Sequence, residues 1–320
     1  MTATAPAAED LRARIADALP QFAANAAWAD ENRRLHEETV GLLAETGVLR
    51  MRVPARYGGH ETSNRDLFET LAHVARGDGA AAWNSAVWSM CSWLTGLFPD
   101  SVQDEVFGER DVRICGVLSP TAMARPDGGD LVIDGSWKFI SGALHSQWQI
   151  VLALAPTPDG ASMWPVMALV PMSELRVQHD WFTSGLRGTG SVTTVAESVR
   201  VPMVRVLPMP LVLQEQYATE ANLSSPVWRA PMMATGSACF VGAATGMAQA
   251  ALAGFLESVP NRKITYTAYE NQAEAPVTHF QAAEASYLVD ETEFHGLRLA
   301  DRLDRKGAAG EPWSLPEKVA

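Results

Sequence analysis

A chain of 320 residues with 47% hydrophobic and 19% charged side chains has ample material for a large core, which excludes a disordered polymer. Lys+Arg 25 against Asp+Glu 37 gives a net charge of −12, without the basic footprint that general nucleic-acid binding requires. The three cysteines (Cys91, Cys115 and Cys239) are widely spaced, so neither zinc spacing nor a disulfide framework is expected, and a reducing cytoplasm is the expected compartment.

Residues 1–10 carry no basic stretch followed by an apolar one, so no secretory leader is expected. Leu11, Ile15, Leu19 and Phe22 recur at helical spacing, and a second helical stretch runs from Glu31 to Leu49 with Gly47 as its stop. Pro54 to Gly59 reads as a turn. Asn64 is the expected N-cap of a helix carrying Leu67, Leu71, Val74 and Ala75, and Asp78 the cap of its continuation. Ala80–Phe98 comes nearest to a membrane span, but Asn84, Ser85, Ser89, Ser92 and Thr95 interrupt it, which predicts a buried helix and no membrane association.

From about residue 111 the pattern changes to short β-prone runs: Val112–Leu118, Asp130–Ile140, Trp148–Leu154, Met163–Val170 and Val192–Val199. Gly, Pro and Asp turns separate them, and the alternation predicts an antiparallel barrel or sandwich. From about residue 209 the chain is helical again. Val227 to Leu256 is apolar all round, which predicts burial in a bundle or a subunit interface, with Gly242, Ala243, Gly246 and Ala250 allowing close approach. A second helix is predicted from Pro276 to Leu303, and Gly307–Ala320 reads as a loop. The expected organisation is α+β: an N-terminal helical domain over 1–110, a central antiparallel β-barrel over 111–208 and a C-terminal helical bundle over 209–320. No GxGxxG follows a strand and no P-loop is present, so a nucleotide would be held by some other device.

Four motifs in this order carry a resemblance. Glu45-Thr46-Gly47-Val48-Leu49 precedes Val53-Pro54-Ala55-Arg56-Tyr57-Gly58-Gly59. Trp137-Lys138-Phe139-Ile140-Ser141-Gly142 precedes Trp148. Gly185-Leu186-Arg187-Gly188-Thr189-Gly190-Ser191 precedes Val201-Pro202. Gly242–Ala251 precedes Arg262 and Ala275-Pro276-Val277-Thr278. Together they resemble the acyl-CoA dehydrogenase superfamily along almost the whole chain. Gly-Leu-Arg-Gly-Thr-Gly-Ser and Phe-Ile-Ser-Gly-x-x-His resemble its group D two-component flavin-dependent monooxygenases. That branch implies reduced flavin (FADH2 or FMNH2) from a separate flavin reductase, O2 as co-substrate, a hydroperoxide at flavin C4a, and hydroxylation of an aromatic or amine small molecule. The apolar helices of the bundle predict a homotetramer, assembled as a pair of dimers. Members of the superfamily continue through further bundle helices, so the C-terminal bundle is expected to be incomplete here.

The resemblance places Ser141 near flavin N5 and O4, with Phe139 and Ile140 on the same strand against the ring. It places Ser119 and Thr121 beside the pyrimidine, and Arg262 at a phosphate of an adjacent subunit's cofactor, for which a guanidinium fork is suited. Arg187, Thr189 and Ser191 form a Gly-rich loop that serves the flavin phosphate, the substrate mouth or only a strand connection. His145, four residues after Ser141, is a candidate general base. Trp83, Asn84 and Trp88 are candidate substrate-cavity residues, with core packing as the alternative. Two other functions stay open: an FAD-dependent acyl-CoA dehydrogenase, which needs a carboxylate to take the α-proton, and a non-catalytic binding or assembly module.

Overall fold

The computed structural model describes residues 8–319. The expectation of a leader-free N-terminus falls on residues 1–10, of which 1–7 lie outside the described residues. Helices α1 (Ala8–Asn32), α2 (Glu37–Thr46), α3 (Asn64–Gly77), α4 (Gly79–Thr95) and α5 (Asp100–Val106) open the chain. Leu11, Ile15 and Phe22 bury one face of α1, as the spacing predicts. α2 stops at Gly47 in the left-handed conformation, φ +94°. The N-cap of α3 is Ser63 and not Asn64: the Ser63 hydroxyl accepts the Asp66 N–H at 3.0 Å, and Asn64 is the first helical residue. Asp78 caps α4 by accepting the N–H groups of Ala80 and Ala81. Nearly every residue of α4 is buried, so its apolar character reflects a core position.

The strands are β1 (Ile114–Gly116), β2 (Ala122–Asp127), β3 (Asp130–Ile140), β4 (Trp148–Pro156), β5 (Met163–Pro171), β6 (Arg176–Gln178), β7 (Val192–Pro202) and β8 (Val206–Pro208). They form one sheet in the order β6-β7-β3-β2-β4-β5-β8, with β1 also on β4. Most pairs are antiparallel, but β1 and β2 both run parallel to β4, so the central sheet is mixed. The two are segments of one line beside β4: Gly116 pairs with Ile150, and pairing resumes at Ala122 with Ala153. Residues 117–121 leave the ladder between them, and this gap opens the sheet toward α4. A second irregularity lies between β3 and β7, where the register shifts between Trp137 and Ile140. Phe139 sits there at φ +64° and is 64% exposed, whereas Trp137 and Ile140 are buried in the hydrophobic core against the sheet.

After α6 (Met209–Leu213) come the long helices α7 (Met232–Ser258) and α8 (Pro276–Ala309), then α9 (Leu315–Val319). By length and composition Met232–Asn261 is apolar enough to cross a bilayer, but its N-terminal half packs inside the protein against α3. Gly242 and Gly246 permit that approach: a Cβ would lie 2.7 Å from the Phe68 carbonyl oxygen and 2.1 Å from that of Ala72, respectively. The tail expected as a loop is instead largely helical. α8 runs on to Ala309, Gly310 closes it at φ +64°, and α9 follows. The glycine and alanines of Gly307-Ala308-Ala309 extend α8 because Gly307 packs tightly on the Pro226 backbone, where a side chain has no room. α8 returns a carboxylate to the N-terminal helices: Asp304 accepts from the Asn64 and Arg65 N–H groups at the start of α3. Gly246→Ala is expected to force α7 off α3 and lower stability by about 1–3 kcal/mol, since backbone cannot move aside as a side-chain tip can. A melting temperature equal to wild type would contradict that packing account.

Candidate active site

Four elements leave a largely apolar cavity of about 500 Å3 at the place where the sheet is broken. α4 supplies Trp83, Val87, Met90, Cys91 and Leu94, residues three and four apart that share one helix face. The broken strand supplies Gly116, Val117 and Leu118, β4 supplies Ile150, and α7 supplies Phe240. The mouth is formed by Phe139 and Trp181, edge to face with ring centroids 6.1 Å apart.

The hydroxyls are confined to one side. Ser141, just beyond β3, is 5% exposed, and its Oγ lies 2.7 Å from the Ser191 Oγ. Ser191 Oγ lies 2.6 Å from Thr189 Oγ1, which donates to the Leu186 carbonyl at 2.8 Å. From α4, the Trp83 indole N–H donates to Ser141 Oγ at 3.1 Å. Two backbone features make this row possible. Gly142, at φ +74°, ends β3 and donates its N–H to the Thr189 carbonyl at 3.0 Å. Leu186, at φ +49°, turns its carbonyl toward the loop interior, where it also accepts from the Trp181 indole at 3.1 Å. A non-glycine residue in that conformation is strained, and such strain is retained where the surroundings fix it.

Of the residues singled out from sequence, Trp83, Phe139, Ser141, Thr189 and Ser191 line this cavity. The others do not. Asn84 is fully buried and donates to the Thr189 carbonyl at 3.2 Å, tying the loop to α4 from behind. Trp88 is 2% exposed and donates to Ser146 Oγ at 3.0 Å, under Gly142. Five helical residues turn Trp88 about 140° away from Trp83, so the two cannot share a face. The Ile140 side chain is buried in the hydrophobic core against the sheet. Ser119 and Thr121 follow the lining residue Leu118 but are exposed, and the Thr121 hydroxyl donates to the Ser136 carbonyl. Arg187 faces α1, with Nε 3.6 Å from Asp30. Arg262 is exposed beyond α7 and touches no residue of the cavity within this chain. Residues that sequence reasoning missed are Val87, Met90 and Leu94. Their three- and four-residue spacing from Trp83 was the available signal.

His145 is also outside the cavity. It is 8% exposed and turned toward α2, with Nδ1 3.9 Å from Glu37 Oε2. Burial pushes its pKa down to about 4, and Arg34 and Arg113 add to this against the pull of Glu37. His60, packed against Gly47, is likewise held at about 4 by burial and by Arg50 and Arg14. Both are therefore neutral at pH 7. In the unfolded chain they take up protons near pH 6.5, so the folded state loses stability as pH falls from about 6.5 to about 4 and little more from these groups below that. For His145 the loss is at most about 3 kcal/mol. Melting temperature is expected to fall across this window, and less steeply in His145→Gln; equal slopes would contradict the burial account. Desolvation also keeps the Cys91 thiol in the cavity wall protonated.

Residues 6–103 match the acyl-CoA dehydrogenase N-terminal domain, and residues 238–319 match the acyl-CoA dehydrogenase C-terminal domain. The FADH(2)-dependent resorcinol hydroxylase, oxygenase component, of Rhizobium sp. (strain MTP-10005) is 28% identical over 87% of this chain and 69% of its own length. The flavin-dependent monooxygenase, oxygenase subunit HsaA, of Mycobacterium tuberculosis is 29% identical over 88% of this chain and 72% of its own. Among solved structures, XiaF from Streptomyces sp. in complex with FADH2 and glycerol has a TM-score of 0.87 at 26% identity, covering 97% of this chain and 78% of that one. The 3-HSA hydroxylase from Rhodococcus sp. RHA1 has a TM-score of 0.89 at 26% identity, covering 97% and 79%.

Proposed function

This chain belongs to the acyl-CoA dehydrogenase superfamily, and from that membership we propose that it is the oxygenase component of a two-component flavin-dependent monooxygenase that hydroxylates a flat aromatic small molecule. The observation that carries this reading is the cavity, whose side-chain hydroxyls form one buried row and whose other walls are mostly hydrocarbon and aromatic. A flat ring system with hydrogen-bonding groups along one edge fits such a space. A reduced flavin ring meets that description: Ser141 would hold its polar edge, and Phe139 and Trp181 would offer aromatic surface at the mouth. Bound reduced flavin supplies two electrons and the position at which O2 is activated.

The remaining work falls to the chain's own side chains. Trp83 fixes Ser141 in place through its indole N–H. Val87, Met90, Leu94, Ile150 and Phe240 keep water from the cavity, which strengthens the few polar contacts within it. Among the described lining residues there is no carboxylate and no imidazole. Selection of an aromatic substrate rests on shape and apolar contact.

A separate reductase supplies the reduced flavin in this reading. The buried free thiols of Cys91, Cys115 and Cys239 suit a reducing cytoplasm. A second copy of the chain, within a homotetramer, covers the apolar residues that α8 leaves outside, among them Phe280 at 78% exposure, Tyr287 at 66% and Phe294 at 60%. The test is to supply FADH2 or FMNH2 from an independent reductase, with phenols and indoles as substrates. Oxygen uptake coupled to a hydroxylated product is expected. Conversion of all the oxygen to hydrogen peroxide with every substrate would overturn the reading.

A further inference from the structure

Only one arrangement of protons makes every contact in the hydroxyl row beside the cavity a hydrogen bond. A carbonyl oxygen cannot donate, so the 2.8 Å contact between Thr189 Oγ1 and the Leu186 carbonyl uses the Thr189 proton. The 2.6 Å contact between Thr189 and Ser191 then uses the Ser191 proton. The 2.7 Å contact between Ser191 and Ser141 uses the Ser141 proton. Three contacts consume three protons. Trp83 donates to Ser141 from the other side and occupies one of its two lone pairs. What Ser141 keeps for the cavity is one lone pair and no hydrogen.

We infer that Thr189, anchored on the strained Leu186 carbonyl, is a positioning residue that fixes Ser141 as a hydrogen-bond acceptor, so that the cavity selects a ring carrying an N–H at that edge over one carrying a bare nitrogen. This rests on the flavin reading above. A reduced flavin has N–H at N5, whereas oxidised flavin has an unprotonated nitrogen there whose lone pair would meet that of Ser141. The row is thus a device for preferring the reduced state, set two hydroxyls away from the ring. The Leu186 carbonyl suits this role because it takes donors only: the Thr189 hydroxyl, the Thr189 N–H at 3.2 Å and the Trp181 indole at 3.1 Å.

The experiment is anaerobic titration of the protein with reduced flavin and aerobic titration with oxidised flavin, for wild type, Thr189→Val, Thr189→Ser and Ser191→Ala. Wild type is expected to bind the reduced form at least about tenfold more tightly, as one well-made against one opposed buried hydrogen bond implies. Thr189→Val frees the Ser191 proton to turn toward Ser141, and the Ser141 proton to enter the cavity. The preference should fall about tenfold, equivalent to a drop of about 30 mV in the two-electron potential of the bound flavin. Thr189→Ser restores the anchor and should retain the wild-type ratio, and Ser191→Ala should lose it even if Thr189→Val does not fold. An unchanged ratio in Thr189→Val and Ser191→Ala overturns the inference while leaving the flavin site standing. Wild type that binds neither form overturns both.

Discussion

Ser141→Ala is expected to lower the yield of hydroxylated product by about 100-fold, the scale on which loss of one pre-organised polar contact in a dry site is felt. Oxygen uptake should persist and its product become hydrogen peroxide, because the substitution removes the group at the ring edge and not the apolar walls. The physical cost is confined to the hydroxyl row. The Trp83 indole loses its acceptor, and a buried N–H without a partner costs about 1–3 kcal/mol. Melting should fall by a few degrees without loss of the fold. Coupled hydroxylation at the wild-type level in Ser141→Ala would remove Ser141 from the mechanism.

Gly142→Ala is expected to be the more destructive change, although no atom of residue 142 need touch a ligand. Its φ of +74° disfavours any side chain, and a Cβ there lies 2.6 Å from the Trp88 Nε1 and within 2.9 Å of two further ring atoms. Trp88 has nowhere to go. It is 2% exposed and donates to Ser146 Oγ, which in turn donates to the Gly142 carbonyl at 2.9 Å. Backbone strain and overpacking together are expected to cost about 2–4 kcal/mol. Because residue 142 adjoins Ser141 and donates to the Thr189 carbonyl, both ends of the hydroxyl row shift with it. Trp88→Phe in the same chain should recover part of the stability, giving a coupling of about 1 kcal/mol or more between the two positions. Strict additivity, read by thermal melts of the four proteins, would refute the buttress.

The helical parts of the fold were legible because their signals are local. Leu11, Ile15 and Phe22 repeat at helical spacing, Gly47 and Asp78 terminate and cap as their chemistry dictates, and Gly242 and Gly246 mark a close helix approach. The sheet was less legible. β2 carries Pro126 and exposed polar residues, and β6 and β8 have three residues each, too short for alternation to register. The parallel placement of β1 and β2 on β4 depends on where the chain re-enters the sheet, which no local pattern encodes.

The site divides along the same line. Ser141, Thr189 and Ser191, which line the cavity, were singled out by motif resemblance, as was Phe139 on the strand before Ser141. His145 was drawn in by its nearness to Ser141 and Trp88 as part of an aromatic stripe, but the tight turn at Gly142 sends His145 toward α2, and helical rotation carries Trp88 off the Trp83 face. The hydroxyl row itself was not readable at all. It joins residues 83, 141, 189 and 191, and exists only once α4, β3 and the Gly-rich loop meet.

The central claim is most directly tested by mixing the anaerobic complex of protein and reduced flavin with oxygenated buffer, and following oxygen consumption and the return of oxidised-flavin absorbance together. A lag between the two, absent for free flavin and shortened in Ser141→Ala, is the expected result. Absorbance that returns in step with oxygen loss, at the free-flavin rate in both proteins, would contradict the oxygenase account.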